Sequence, residues 1–137
     1  MPRNVEIKAK VANIADLHQR AEKLAGGTGT ILKQEDTFFN SPQGRLKLRI
    51  IKGEHEELIY YERPDQDGPK GSDYVKVDGA SGELSGDMKH LLTRCLGIKG
   101  CVRKVRTLYM VGQTRVHVDA VEGLGDFMEL EVINVLK

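Results

Sequence analysis

Apolar and charged residues alternate with period two along Val5-Glu6-Ile7-Lys8-Ala9-Lys10-Val11, as a strand with one buried and one polar face requires. Glu6, Lys8 and Lys10 then share one face. The period changes at Ile14, Leu17, Ala21 and Leu24, which recur at helical spacing until Gly26-Gly27 stops them, with Asn13 placed to cap the helix. Thr30 to Phe39 reads as a second strand, and Ser41-Pro42-Gln43-Gly44 turns it back into Arg45-Leu46-Lys47-Leu48-Arg49-Ile50-Ile51. The segment around Lys52-Gly53-Glu54 turns again into a strand from Glu57 to Arg63, ended by Pro64. Asp65 to Ser72, polar and rich in Gly and Pro, reads as a mobile loop before a short strand near Tyr74 to Val77. Leu84 to Leu96 carries Met88, Leu91, Leu92 and Leu96 on one side, a second amphipathic helix closed by Gly97. Val102 to Val111 and Thr114 to Val121 are longer strands meeting at the tight Gly112-Gln113 corner. A final strand runs from Phe127 to about Leu136.

About eight strands and two helices, joined mostly by hairpins, predict an α+β fold built on an antiparallel sheet. About eight strands suffice to close a barrel, with the apolar stripes of the helices laid against its outside. The Gly123-Leu124-Gly125 turn joins strands and opens no helix, which excludes a dinucleotide-type phosphate loop. With 137 residues, 39% hydrophobic content and no repeat or linker, residues 1–137 are expected to form one domain.

Charges recur two apart on strand after strand: Glu6, Lys8, Lys10; Arg45, Lys47, Arg49; Lys104, Arg106; Arg115, His117, Asp119; Glu129, Glu131. Such faces point either into a lumen or out to water, and the pattern alone leaves both open. Separation of cationic from anionic strands favours the lumen, because a face needed only for solubility mixes its signs. A cationic wall suits a polyphosphate, since Arg meets two phosphoryl oxygens at once. The fewer carboxylates would then hold Mg²⁺ or Mn²⁺, hard cations that prefer oxygen ligands.

The remaining composition removes alternatives. The 21 basic and 20 acidic residues nearly cancel and only 5% of the chain is aromatic, so neither a nucleic-acid nor a membrane surface is expected. Cys95 and Cys101 lack the Cys-x-x-Cys spacing and no long apolar segment opens the chain, so free thiols and a cytoplasmic location are expected. His117 shares a face with Arg115 and Asp119 and is placed for proton transfer, phosphate contact or a structural hydrogen bond. His18, His55 and His90 read as surface residues. Of Tyr60 and Tyr61, one must face the apolar side of the wall.

Three blocks resemble a known family, the CYTH domain or triphosphate tunnel metalloenzymes, in order and over nearly the whole chain. Glu6-x-Lys8-x-Lys10 resembles the Glu-x-Glu-x-Lys signature. Asp36-Thr37-Phe38-Phe39 with Gly44-Arg45-Leu46-Lys47-Leu48-Arg49 resembles the first hairpin, and Asp119 to Glu131 the closing hairpin. The Val-Glu-Gly-Leu-Gly run is most similar to the class IV adenylyl cyclase-like branch, whose bacterial members convert ATP to cyclic AMP and pyrophosphate. Other relatives hydrolyse inorganic triphosphate or thiamine triphosphate. The resemblance implies a tunnel with Glu6, Asp119, Glu129 and Glu131 as metal ligands. It implies phosphate contacts from Lys8, Lys10, Arg45, Lys47, Arg49, Arg63, Lys104, Arg106 and Arg115, and catalytic roles for Glu6, Lys10 and Glu131. Lys8 stands where the motif has its second Glu, replacing a metal ligand with a cation. The chain also stops at Lys137, where relatives continue into helical sequence, so a shortened C-terminus is expected.

The expected partner is a small-molecule triphosphate, acted on by a monomer or homodimer. The expected activity is adenylyl cyclase-like or triphosphate hydrolase. The alternative is a module of the same fold that binds nucleotide or polyphosphate without turnover.

Overall fold

The computed structural model describes residues 3–64 and 68–133. In chain order its elements are β1 (Arg3–Lys10), α1 (Ile14–Ala25), β2 (Thr30–Phe39), β3 (Arg45–Ile51), β4 (His55–Glu62), β5 (Lys70–Ala80), α2 (Asp87–Leu96), β6 (Ile98–Val111), β7 (Thr114–Val121) and β8 (Gly125–Ile133). The strands close into a barrel in the order β1-β5-β4-β3-β2-β6-β7-β8, and every neighbouring pair is antiparallel. Among the described residues, no helix is long and apolar enough to cross a membrane.

The alternating pattern becomes a two-faced wall whose polar face points inward. The apolar packing therefore lies outside the barrel, under the helices. Asn13 caps α1 by accepting from the Asp16 N–H at 3.1 Å, and Gly26 ends the helix at φ 77°, a conformation glycine adopts without penalty. Ile14, Leu17, Ala21 and Ala25 lie against Tyr109, Val116 and Val118 of β6 and β7. Leu24, expected on the same stripe, is 72% exposed, because the barrel covers a stripe too narrow to include it. His18, expected at the surface, instead meets the Tyr109 hydroxyl through Nδ1 at 2.7 Å and ties α1 to the wall.

A second cluster of Phe39, Leu48 and Leu84 receives Leu92 and Leu96 from α2. Met88 and Leu91 face solvent instead of the barrel. This helix starts at Asp87 and not at Leu84 because the segment before it wraps a buried carboxylate. Glu56 accepts from the N–H groups of Gly82, Leu84 and Ser85 and from the Ser85 hydroxyl, each at 2.8 Å. The carboxylate fixes residues 82–85 as a turn around itself, and Leu84 becomes a plug in the apolar cluster.

Two strands outrun their sequence signals. β5 spans 11 residues, pairing along one edge with β4 from His55↔Ala80 to Glu62↔Asp73 and with β1 on the other. Pairing with β1 at Ser72 and with β4 at Asp78 and Gly79 overrides the weak strand preference of these residues. β6 begins at Ile98, four residues earlier than expected, because β2 continues to pair with it past a shift in register at Phe38/Phe39. Residues 65–67 of the expected loop, and the end of the last strand with residues 134–137, lie outside the described residues.

Two hairpins carry matching cross-strand ion pairs. In β2–β3, Asp36 receives Nε and Nη2 of its register partner Arg49, both at 2.9 Å. In β6–β7, Asp119 receives the same two atoms of Arg106 at 2.8 and 2.9 Å, with Lys104 Nζ at 3.5 Å. Each pair is bidentate, the geometry in which an arginine is held most firmly.

Two stability predictions follow from these contacts. Asp119→Ala leaves Arg106 buried without its partner and should cost about 3–5 kcal/mol, whereas replacing both together with Leu and Met should cost much less. Glu56→Ala strands buried N–H donors and should cost on the order of 2–3 kcal/mol. Urea unfolding with an unchanged m-value checks each.

Candidate functional site: the lumen

The inward faces enclose a cavity of about 460 Å³ to which every strand contributes. Eight Lys and Arg side chains line it against five Asp and Glu among the described residues. A second hollow of about 490 Å³ lies beside Lys33, Glu35, Arg103 and Val105, but there Arg103 already donates to Glu35 at 2.8 Å. The unmatched charge is in the lumen.

Of the residues singled out from sequence, Glu6, Lys8, Lys47, Arg49, Arg63, Lys104, Arg106, Arg115, Glu129 and Glu131 all line the cavity. Lys10 and Arg45, at the ends of β1 and β3, are exposed and do not line it. Asp119 is 0% exposed and sits in the wall behind Arg106. Tyr61 turns inward while Tyr60 lies on the outer face, its hydroxyl donating to Glu62 at 3.0 Å.

The cationic wall is made by β3 and β6. Burial, with Arg49 beside it, pushes the Lys47 ammonium down to about 7. Its Nζ lies 5.0 Å from the Tyr61 ring centre and 5.8 Å from that of Phe38, so aromatic faces soften a charge that is otherwise poorly compensated. Lys104 is lowered for the same reasons, burial first and then Arg106. Burial works against the charge of Arg49, but Asp36 holds its guanidinium above the ordinary value. Burial of Asp36 opposes its ionisation, yet Arg49, with Lys47 and Lys104 beyond it, holds the carboxyl at about 2. Asp119 is likewise held down by Arg106 against the effect of burial.

The carboxylate wall is made by β1 and β8, where Glu6 faces Glu131 and Lys8 faces Glu129 in register. Burial and the nearby Glu129 raise Glu6, while Arg63 opposes them by donating to Glu6 Oε1 at 2.7 Å. Glu131 is held at about 2 in spite of burial by hydrogen bonds from His117, at 3.2 Å, and the Asn4 amide, at 2.5 Å. Burial also works against the ionised form of Glu129, but Arg106, at 3.7 Å, and His117 keep it lowered. Among the described residues, His117 Nδ1 and Asn4 Oδ1 are buried and find no hydrogen-bond partner, so this wall retains unspent polar capacity.

These carboxylates fit a divalent cation. They are hard oxygen donors, and the repulsion that raises Glu6 is what a bound cation relieves. Among the described residues no three His, Cys, Asp or Glu side chains stand close enough to hold an ion unaided, so water or phosphate oxygens would complete its shell.

Sequence reasoning did not select Asn4, His55, Glu57, Ser72, Tyr74 and Lys76, all of which line the cavity. Lys76 donates to Glu57 at 3.0 Å, and His55, whose side chain is 44% exposed, lies 3.6 Å from the same carboxylate. The signal was present: Glu57, Ile59, Tyr61 and Arg63 are spaced two apart, as are Ser72, Tyr74 and Lys76. On β6 the inward positions run Lys104, Arg106, Leu108, Met110, so the lining changes from cationic to apolar along one strand.

The barrel resembles solved structures of low identity. The PH1012 protein from Pyrococcus horikoshii OT3 superposes with a TM-score of 0.76 at 24% identity, over 97% of this chain and 80% of that one. A candidate adenylate cyclase from Vibrio parahaemolyticus gives 0.66 at 19% identity, over 94% and 75%. HpAC1 from Hippeastrum, a protein with a dominant triphosphatase activity, gives 0.66 at 14% identity, over 99% and 80%. No curated protein matches the chain. The profile of the CYTH domain matches residues 2–135, nearly the whole sequence, and the chain belongs to the CYTH domain family.

Proposed function

We propose that the lumen binds a triphosphate compound together with Mg²⁺ or Mn²⁺ and processes it by cyclisation or hydrolysis. The observation that carries this reading is the crowding of cations. Lys47 and Lys104 are driven toward their neutral forms by burial and by the arginines beside them, an arrangement relieved by a highly charged anion. Membership of the CYTH family supports the same reading, as do the triphosphatase activity of HpAC1 and the adenylate cyclase assignment of the Vibrio protein.

Lys47, Arg49, Lys104 and Arg106 hold the phosphates, and Asp36 and Asp119 hold the two arginines in register. Lys8, Arg63 and Arg115 supply further cations from neighbouring strands. Glu6, Glu129 and Glu131 are the carboxylates that would offer the metal its protein ligands, with water or phosphate oxygens completing the shell, and the ion would supply charge neutralisation at the phosphates and orientation of the attacking oxygen. Asp119 acts through Arg106 instead of as a metal ligand, because both of its oxygens are already engaged. Lys10 and Arg45, at strand ends, draw the anion toward the barrel. A 3′-hydroxyl presented to the α-phosphate would release pyrophosphate, and water attacking a terminal phosphate would release orthophosphate.

A second reading, binding without turnover, is favoured by the occupation of the carboxylate wall. Arg63 holds Glu6, and Lys8 faces Glu129 where the family motif has an acidic residue. Incubation with ATP, inorganic triphosphate and thiamine triphosphate plus Mg²⁺ or Mn²⁺ separates the two. Cyclic AMP with pyrophosphate identifies a cyclase and orthophosphate a hydrolase, and metal-dependent binding with no product sinks the enzyme reading.

The lowered Lys47 gives a second test. In the empty lumen it is largely neutral above about pH 7, and a bound phosphate restores its charge by taking a proton from solvent. Tripolyphosphate binding at about pH 8 should therefore take up roughly half to one proton and weaken as pH rises. Calorimetry in two buffers of different ionisation enthalpy measures the uptake, and Lys47→Met should abolish that share of it.

A further inference from the structure

β1 closes the barrel against only part of β5. Its pairing runs from Glu6↔Lys70 to Arg3↔Asp73, whereas β4 follows β5 on the other side from Glu62↔Asp73 to His55↔Ala80. Among the described residues, Tyr74 to Ala80 therefore have a strand on one side and none on the other. Such an edge leaves a row of N–H and C=O groups that a further strand can match. Residues 75–78 are all exposed, and neither apolar cluster beneath the helices includes Val75 or Val77.

The side chains along this edge decide what it accepts. Val75 and Val77 lie on the outer face, 49% and 52% exposed. Lys76 turns to the inner face, where it lines the lumen, donates to Glu57 and stands 3.5 Å from Asp78. A lone lysine on an edge repels a second copy of itself, but a lysine two residues from an aspartate does not. Laid antiparallel on itself with Val77 opposite Val77, the edge sets Lys76 of each copy opposite Asp78 of the other. Two lysines and two aspartates then alternate around the axis, and the valines meet side by side on the outer face. Centring the pair on residue 76 or 78 instead sets like charges opposite each other.

We propose that the Tyr74 to Ala80 edge of β5 is a self-pairing surface, at which two copies of this chain join antiparallel about a two-fold axis through Val77. The contact is isologous, so it closes at a dimer and leaves no edge for a third copy. It joins two barrels at the rim of the lumen that Lys76 lines, and it is independent of what the lumen binds.

Sedimentation velocity over a range of protein concentrations should show a monomer–dimer equilibrium, with a reductant present because Cys95 and Cys101 are exposed thiols. Val77→Glu and Val77→Arg each place like charges on the axis and should weaken self-association by more than about tenfold, whereas an equimolar mixture of the two variants should dimerise again. Asp78→Lys sets Lys opposite Lys and should dissociate the dimer in the same way. Val77 and Asp78 are both exposed, so these variants should fold, and hydrogen exchange on the unaltered protein needs no variant. Protection of the amides from Tyr74 to Ala80 should rise with protein concentration. A monomer at every concentration, a dimer indifferent to charge at Val77, or exchange along this edge that does not slow as the dimer forms would each overturn the proposal. A monomer whose edge amides are already protected would assign the edge to another segment of the same chain and overturn it too.

Discussion

A barrel that turns its charged faces inward is possible only if those charges are compensated as the wall forms, and two bidentate pairs achieve this. Asp36–Arg49 and Arg106–Asp119 are each direct cross-strand partners within a single hairpin. Each can be assembled as its hairpin zips, before the sheet closes. Such pairs gain little stability over apolar residues of equal size, because desolvation offsets their attraction. What they provide is permission to keep guanidinium groups charged and fixed inside the protein. Lys47 and Lys104 lie next to these pairs without an equally close partner of their own, and that imbalance is what makes the lumen receptive to an anion.

Inverting the usual arrangement of a small barrel moves the problem of apolar burial to the outside. There the two helices divide the work unequally. α1 is anchored at its cap, by its apolar stripe and by the hydrogen bond between His18 and Tyr109. α2 lays down only Leu92 and Leu96, and the segment before it is secured by the Glu56 carboxylate and the Leu84 plug. A buried acidic side chain that organises a loop thus substitutes for apolar area that α2 does not cover.

Much of this was legible in the sequence because strand alternation and hairpin turns are local signals. Thr30–Phe39, Arg45–Ile51 and Thr114–Val121 have the bounds their patterns imply. The direction in which the charges face was not legible. Period two says that Lys47 and Arg49 share a side, not which side is enclosed, and closure depends on strands far apart in the chain. Likewise Glu57 and Lys76 become a cavity pair only through the register of β4 with β5, which extends well beyond the short strand that Tyr74 to Val77 suggests. Lys10 and Arg45 follow the same alternation as their neighbours yet leave the cavity, because a strand end lies beyond the enclosed length of the wall. For the α2 boundary the decisive partner, Glu56, is 28 residues away from Leu84, out of reach of any helix-start signal.

The lumen treats its two signs of charge differently, and this bears on binding and chemistry in unequal measure. Its cations are surplus to the aspartates that fix them, so an incoming polyanion replaces repulsion with attraction and need not break either arginine–aspartate pair. The carboxylates are engaged already: Glu6 by Arg63, Glu131 by His117 and Asn4, Glu129 by Arg106. A cation entering there must displace or share those partners, and Lys8 adds a positive charge opposite Glu129. Yet the same anion that the cations attract would draw Arg63 and Arg106 toward its oxygens and leave Glu6 and Glu129 less compensated. Phosphate binding would then prepare the carboxylate wall for the metal and, because coupling between two ligands is reciprocal, a bound metal would strengthen the lumen's hold on the anion by the same factor.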